Sequence, residues 1–152
     1  MIDRSLNYGR HIVGKFLSQI DGAHVVLDLG AGHGDDLSLA RGRFPTARLN
    51  AVECHPPYQA ELKGRGVNVF ALNIESDPIP FDDASVDVVI ANQILEHTKE
   101  LFWIFHEVSR VLTKGGHFIV GVPNLAALHN RLLLAAGQQP SPIKSNSAHV
   151  RG

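Results

Sequence analysis

The chain has 152 residues, with fourteen Lys/Arg, fifteen Asp/Glu and nine His, for a formal net charge of −1. An ordinary composition, 44% apolar and 19% charged, suits one domain with one core, and no apolar run is long enough to span a bilayer. The start, Met1-Ile2-Asp3-Arg4-Ser5, lacks the apolar centre of a secretory leader, and the lone Cys54 excludes an internal disulfide framework, so a cytoplasmic location is expected.

In chain order, residues 5–20 predict a helix capped by Ser5, with Leu6, Val13, Phe16, Leu17 and Ile20 on one face and Asp21-Gly22 as the stop. Val25–Leu29 reads as an apolar strand running into the turn Gly30-Ala31-Gly32-His33-Gly34, with a helix from Asp35 to Arg41. Ala47–Val52 reads as a second strand ending on Glu53, about twenty residues beyond the turn. Pro56-Pro57 opens a short helix that Gly64 stops, and Val67–Leu72 reads as a third strand leading to Asn73-Ile74-Glu75. After the acid- and proline-rich loop 77–85, Val86–Ala91 has the two-sided apolar character of a buried parallel strand. Leu101, Phe105, Val108 and Leu112 mark a long helix ending at Lys114-Gly115-Gly116. His117–Val122 is the fifth strand. Asn124 caps a last helix with Leu125, Leu128, Leu132 and Ala136 on one face and Gly137 as its stop.

Strands alternating with helices predict an α/β fold: a three-layer sandwich around a mainly parallel sheet. Right-handed crossovers with one reversal give the order 3-2-1-4-5, with the ligand crevice above strands 1 and 4. The whole, 1–152, is read as one domain: a helix at 5–20, a core at 25–122, and a helix and tail at 124–152.

The glycine turn points to the ligand class. A dinucleotide fingerprint places its third glycine one residue later, where Asp35 stands. A pyrophosphate wants bare amides and positive potential, whereas Asp28, Asp35 and Asp36 flank this turn and suit a ligand with cationic groups. S-adenosylmethionine (SAM) carries an ammonium and a sulfonium and no phosphate. Glu53, at the tip of the second strand, can accept two hydrogen bonds from a ribose diol, as SAM and NAD both offer. Asn73 can meet the edge of a base and Ile74 its face.

Asp28-x-Gly30-x-Gly32-x-Gly34 resembles the first motif of the class I SAM-dependent methyltransferases. Further stretches are similar to that family in the same order: Val52-Glu53, then Ile79-Pro80-Phe81 leading into Val86–Val89, then Ile94-Leu95-Glu96-His97 with Arg110–Gly116, and finally Val122-Pro123-Asn124. The Leu-Glu-His turn, with the Arg110–Gly116 helix end, is similar to a small-molecule subgroup of that family, and the Pro-Asn turn with the following Asn130-Arg131-Leu132-Leu133-Leu134 resembles members that modify small molecules, sugars or lipid-linked precursors. The resemblance implies a Rossmann-like fold with SAM as cofactor and S-adenosylhomocysteine (SAH) as product. It implies that Asp28, Gly30, Ala31, Gly32 and Gly34 hold the methionine part, and that Glu53, with Cys54 beside it, holds the ribose. Asn73 and Ile74 would flank the adenine, Asn92 and Gln93 would line the cleft near the methyl group, and Tyr8 would reach it from the first helix. Asn73 stands where the family more often has Asp, and His33 is unusual inside the turn.

His97, at the cleft rim, is the candidate general base for a hydroxyl acceptor, or else a structural histidine that fixes the turn. Glu96 would orient it or cap the next helix. Arg10 and His11 read as helix surface. No histidine pair has metal-ligand spacing, so no metal is expected.

All fifteen acids lie in residues 1–107, whereas residues 108–152 carry five Lys/Arg and no acid. That is either a solvated basic tail or a surface for an acidic acceptor. No basic-aromatic stripe suggests nucleic acid. The family usually adds two more strands, so the resemblance implies a short form without strands 6 and 7. Strand 117–122 would then be a bare edge at which copies could pair. Two other readings stay open: a SAM-binding module without an acceptor site, and an NAD-binding Rossmann domain.

Overall fold

The computed structural model describes residues 9–124 and 126–139. The chain falls into two compact units, Met1–Val122 and Pro123–Gly152, where the sequence reading has a single domain. The first unit carries α1 (Arg10–Ser18), β1 (Val25–Leu29), α2 (Asp35–Arg43), β2 (Arg48–Val52), α3 (Pro56–Gly64), β3 (Asn68–Phe70), β4 (Val86–Asn92), a 3-10 turn (Leu95–His97), α4 (Leu101–Val111) and β5 (Leu112–Gly121). The second carries α5 (Leu128–Ala135).

All pairings are parallel, and the sheet order is β3-β2-β1-β4-β5, the order expected from right-handed crossovers with one reversal. The chain reverses direction across the sheet between β1 and β4. Asp28 lies level with Ala51 on one side and Ile90 on the other, so the three strand ends open together at that reversal.

Each face of the sheet has its own core. Val13 and Leu17 of α1, Leu37 and Ala40 of α2, and Leu62 of α3 pack with Val26, Leu49, Ala51, Val88 and Ile90. On the other face Ile104, Val108 and Val111 of α4 pack with Leu27, Leu29, Val89 and Ala91, while Ile79 and Phe81 fill in from the loop before β4. This is the expected three-layer arrangement. Asp87, the polar exception in β4, accepts the His24 and Val25 amides at 2.7 and 2.9 Å and so pins the start of β1.

Several boundaries differ from the sequence reading. Residues 5–8 of the first helix, with Ser5, Leu6 and Tyr8, lie outside the described residues. Gly9 takes the cap position of α1, and Phe16 is 52% exposed. β3 spans only three residues, because beyond Phe70 it has no further ladder with β2. α4 ends at Val111, before the expected Lys114-Gly115-Gly116 stop, and the chain passes directly into β5. Its buried face is Ile104, Glu107, Val108 and Val111, while Leu101 and Phe105 are 41% and 46% exposed. The ring of Phe105 instead stands edge-on to Phe118 of β5. Asn124 accepts the Ala126 amide through its side chain and so turns the chain before α5 without capping it; Ala127 holds the cap position, and Leu128 and Leu132 are exposed.

Candidate active site

The glycine turn is assembled from both sides. Gly30 and Ala31 donate their amides to the Val52 carbonyl at 2.8 and 3.3 Å, joining the turn to the end of β2. Gly30 has φ +70, and a Cβ there would lie 2.8 Å from Ile94 Cγ1 and Cδ1. Only glycine lets the two segments touch. Gly34 closes the turn at φ +76 and begins α2, whose first residues are Asp35 and Asp36.

Glu53 does more than wait at a strand tip. One carboxylate oxygen accepts the Gly32 amide at 2.8 Å and the other the His55 amide at 2.7 Å. The side chain thus clamps the turn, and each oxygen keeps a lone pair for a further donor such as a ribose hydroxyl. Glu53→Gln should weaken SAH binding by roughly tenfold to a hundredfold, since a charged acceptor of backbone amides contributes about 1.5–3 kcal/mol. Calorimetry checks the affinity, and the Gly32 and His55 amide NMR shifts should move with it.

A cleft of about 380 Å³ lies between the turn and the strand ends. Gly30, Gly32, Glu53, Cys54, Asn73, Ile74 and His97 line it, together with Tyr58, Leu72, Glu75, Ile94 and Thr98. The first seven come from four separate stretches singled out in the sequence. Asn73 is partly committed: its side-chain oxygen accepts the Glu75 amide at 3.0 Å, leaving one lone pair. Cys54 is exposed, with Sγ 3.1 Å from the Leu72 carbonyl oxygen. His97 is exposed at the rim, and Glu96 makes no bond to it. α4 has no side-chain cap; Glu75 instead holds the residues just before it, its carboxylate accepting the Lys99 and Glu100 amides. Those two bonds hold the Glu75 carboxyl below its usual range.

Asn92 and Gln93 do not line the cleft. Asn92 donates to Asp36 Oδ2 at 3.0 Å and packs so tightly on Gly121 that a Cβ there would lie 2.1 Å from its Oδ1. Gln93 adopts φ +59 and gives its amide to the Gly121 carbonyl, which turns the chain so that Ile94 faces Gly30 instead. Asp28, Ala31 and Gly34 do not line this cleft either. Tyr8 lies outside the described residues.

Behind the turn is a buried acidic pair. Asp28 and Asp36 are both buried. Burial pushes the Asp28 carboxyl well above the ordinary range; Asp36 adds to the rise, Arg10 opposes it, and Glu53 adds a little more. Burial also raises Asp36, against the Asn92 hydrogen bond and Arg10. Arg10, read from the sequence as helix surface, reaches Asp35 at 3.2 Å and Asp36 at 3.8 Å. Asp36 Oδ1, which faces Arg10 Nε at 3.8 Å, and Asn92 Oδ1 are buried acceptors with no hydrogen bond among the described residues. Buried carboxylates and unmatched acceptors fit a ligand bearing positive groups, and two acids on the first turn of α2 disfavour a pyrophosphate there. The site therefore fits SAM.

Arg10, Tyr58 and Glu75 escaped the sequence reading as site residues, since each matters through contacts between distant segments, whereas Asp36 was read there among the acids that suit a cationic ligand.

Comparison with known proteins agrees with this chemistry. Residues 27–120 match a family described as a methyltransferase domain. A probable SAM-dependent methyltransferase of Mycobacterium tuberculosis is 32% identical over 122 residues, covering 80% of this chain and 40% of that protein. A sugar N-methyltransferase from Streptoalloteichus superposes with TM-score 0.63 at 20% identity, over 77% of this chain and 49% of its own. A geranyl diphosphate C-methyltransferase from Streptomyces coelicolor, solved with SAH, gives 0.60 at 22% identity over 72% and 44%. This chain thus spans less than half the length of these relatives. From its sequence match, carried on the expected sheet order and glycine turn, the chain belongs to the class I SAM-dependent methyltransferases.

Proposed function

We propose that this chain binds SAM in the cleft beside Gly30, Gly32 and Glu53 and transfers its methyl group to a small acceptor: a small molecule, a sugar or a lipid-linked precursor. The observation that carries the reading is the convergence of Gly30, Gly32, Glu53, Asn73 and Ile74 on one cleft of about 380 Å³. Bound there, SAM supplies a methyl group on an excellent sulfonium leaving group. The protein's part is mainly to position and to exclude water. Glu53 and the turn hold the ribose side, Ile74 and Leu72 offer apolar surface to the base, and Asp28 and Asp36 bias the methionine side toward positive charge. His97 takes the acceptor's hydroxyl proton as the methyl group arrives. An acidic acceptor is favoured by the absence of Asp and Glu after residue 107, and the geranyl diphosphate relative offers a precedent.

The test is methyl transfer from labelled SAM to matched acidic and neutral small alcohols, sugars and prenyl phosphates. His97→Ala should lower kcat by about 10²–10⁴-fold with SAH affinity unchanged. Tight SAH binding without turnover on any acceptor would favour the reading of a non-catalytic SAM-binding module.

The buried acids set a pH dependence. Their raised values mean that Asp28 and Asp36 hold protons above the ordinary carboxylate range. A cationic ligand favours their ionised forms, so SAM binding should release protons, and its affinity should rise with pH through that range and then level off. Calorimetry in two buffers of different ionisation enthalpy measures the release, and equal heats in both would contradict it.

We also infer that copies pair through the sheet edge 117–122. β5 has β4 on one side and no strand on the other among the described residues, and Val120 and Val122 are exposed. Light scattering should give twice the 16.5 kDa chain mass, and a monodisperse monomer would exclude pairing.

A further inference from the structure

A second cavity, of about 280 Å³, lies away from the cofactor cleft, between α2 and the turn joining α3 to β3. Leu37, Leu49 and Val67 line it, and all three are buried apolar residues. Gly34, Ser38, Arg41 and Gly42 form its α2 wall, being spaced one and two turns apart on one helix face. Gly42 leaves that wall open, since a Cβ there would meet nothing within 4 Å. Arg65 stands opposite.

The charge of this cavity is unbalanced. Arg41 has no ion pair or hydrogen bond among the described residues. Among the described residues the one carboxylate paired with Arg65 is Glu61, at 3.8 Å, and Glu61 is shared with His33 at 2.8 Å. Two guanidiniums beside an apolar lining suit an anion on a compact apolar body.

The cavity is wired to the glycine turn. Arg65 donates one guanidinium N–H to the His33 carbonyl and another to Ser38 Oγ, and Ser38 Oγ donates to the Gly34 carbonyl at 3.0 Å. His33 and Gly34 belong to the turn that Glu53 clamps from the other side.

We propose that this cavity is a second ligand site, taking a small amphiphilic phosphate or carboxylate between Arg41 and Arg65, and that its occupancy tightens cofactor binding by fixing Arg65 against the back of the glycine turn. The coupling rests on the cofactor reading above; the site itself does not.

The probe is phenyl phosphate, with inorganic phosphate and benzyl alcohol in parallel, titrated at low salt and followed by amide NMR shifts. The expected result is saturable binding that moves the Gly34, Ser38, Gly42 and Val67 amides, with both parallel compounds at least about tenfold weaker, as loss of the apolar body or of the charge-assisted bonds requires. Arg41→Gln should weaken phenyl phosphate by about tenfold, and Gly42→Leu, which fills the cavity from an unstrained helix position, should abolish it. Both variants should keep wild-type SAH affinity in the absence of probe. Saturating phenyl phosphate should tighten SAH by about fivefold or more, and SAH should tighten phenyl phosphate by the same factor. No saturable binding, shifts centred on the cofactor cleft, or wild-type affinity in both variants would overturn the site. Unchanged SAH affinity with the probe bound would overturn the coupling. Failure of SAH to bind at all would strike the cofactor reading instead, and the probe titration would still decide the site.

Discussion

Gly30→Ala is expected to abolish measurable SAH binding and to lower stability by about 2–4 kcal/mol. Two costs combine at this position. The backbone sits at φ +70, where a side chain costs roughly 1–2 kcal/mol. The added methyl would also lie 2.8 Å from Ile94 Cγ1 and 3.1 Å from its Cβ. Those atoms belong to the stem of a branched side chain and cannot swing aside, so the turn or the Asn92–Ile94 segment must shift. Either shift displaces the Gly30 amide from Val52 and opens the cleft wall. Gly32→Ala separates the two costs, because it shares a positive φ of +53 but has open space where its Cβ would stand. Gly32→Ala should therefore lose only about 1 kcal/mol by urea denaturation. Equal losses in the two variants would exclude the Ile94 contact as the cause.

The second large effect lies at Arg110. Glu107 is a carboxylate on the buried face of α4, only 3% exposed. It accepts Arg110 Nε at 2.9 Å, Arg110 Nη2 at 2.7 Å and the Ile79 amide at 2.7 Å. Arg110 also donates to the Ile79 and Phe81 carbonyls and to Asp83. The pair thus anchors the Ile79-Pro80-Phe81 segment that fills one core. Arg110→Met strands a buried carboxylate and should cost about 3–5 kcal/mol, while the double variant with Glu107→Leu should recover much of the loss. The double-mutant cycle by urea denaturation checks this, and additive losses would contradict it. Arg110 holds the Glu107 carboxyl below its ordinary value of 4.5. The pair's stabilisation is therefore complete above that value and is lost as pH falls through and below it. The buried Asp28 and Asp36 act in the opposite sense, costing stability above the ordinary range and relieving that cost as they protonate.

The sequence was most legible where burial is two-sided. β1, Asp28 apart, and most of β4 are apolar on both faces, so their residues announced a covered parallel sheet, and right-handed crossovers with one reversal gave its order. It was least legible in α4, where Leu-Phe-Trp-Ile-Phe is apolar all round and the spacing of Leu101, Phe105, Val108 and Leu112 marked a helix but not its inner face. The true face includes Glu107, which only the Arg110 guanidinium makes tolerable, and hydropathy cannot display such a pair. In the site, spacing pointed to the turn and to Glu53, because a strand followed by glycines has local meaning. It missed the clamp of Glu53 on Gly32, the bond of Asn92 to Asp36 and the contact of Ile94 with Gly30. Each joins segments that are remote in sequence, and Gln93 changes the facing of its neighbours through a left-handed φ.

The most direct test is a calorimetric titration of this chain with SAM and with SAH, using NADH as the control. Saturable one-to-one binding of both adenosyl ligands, lost in Gly30→Ala and absent for NADH, is the predicted result. A folded chain that takes up neither adenosyl ligand, or that binds NADH in their place, would contradict the assignment of the cleft.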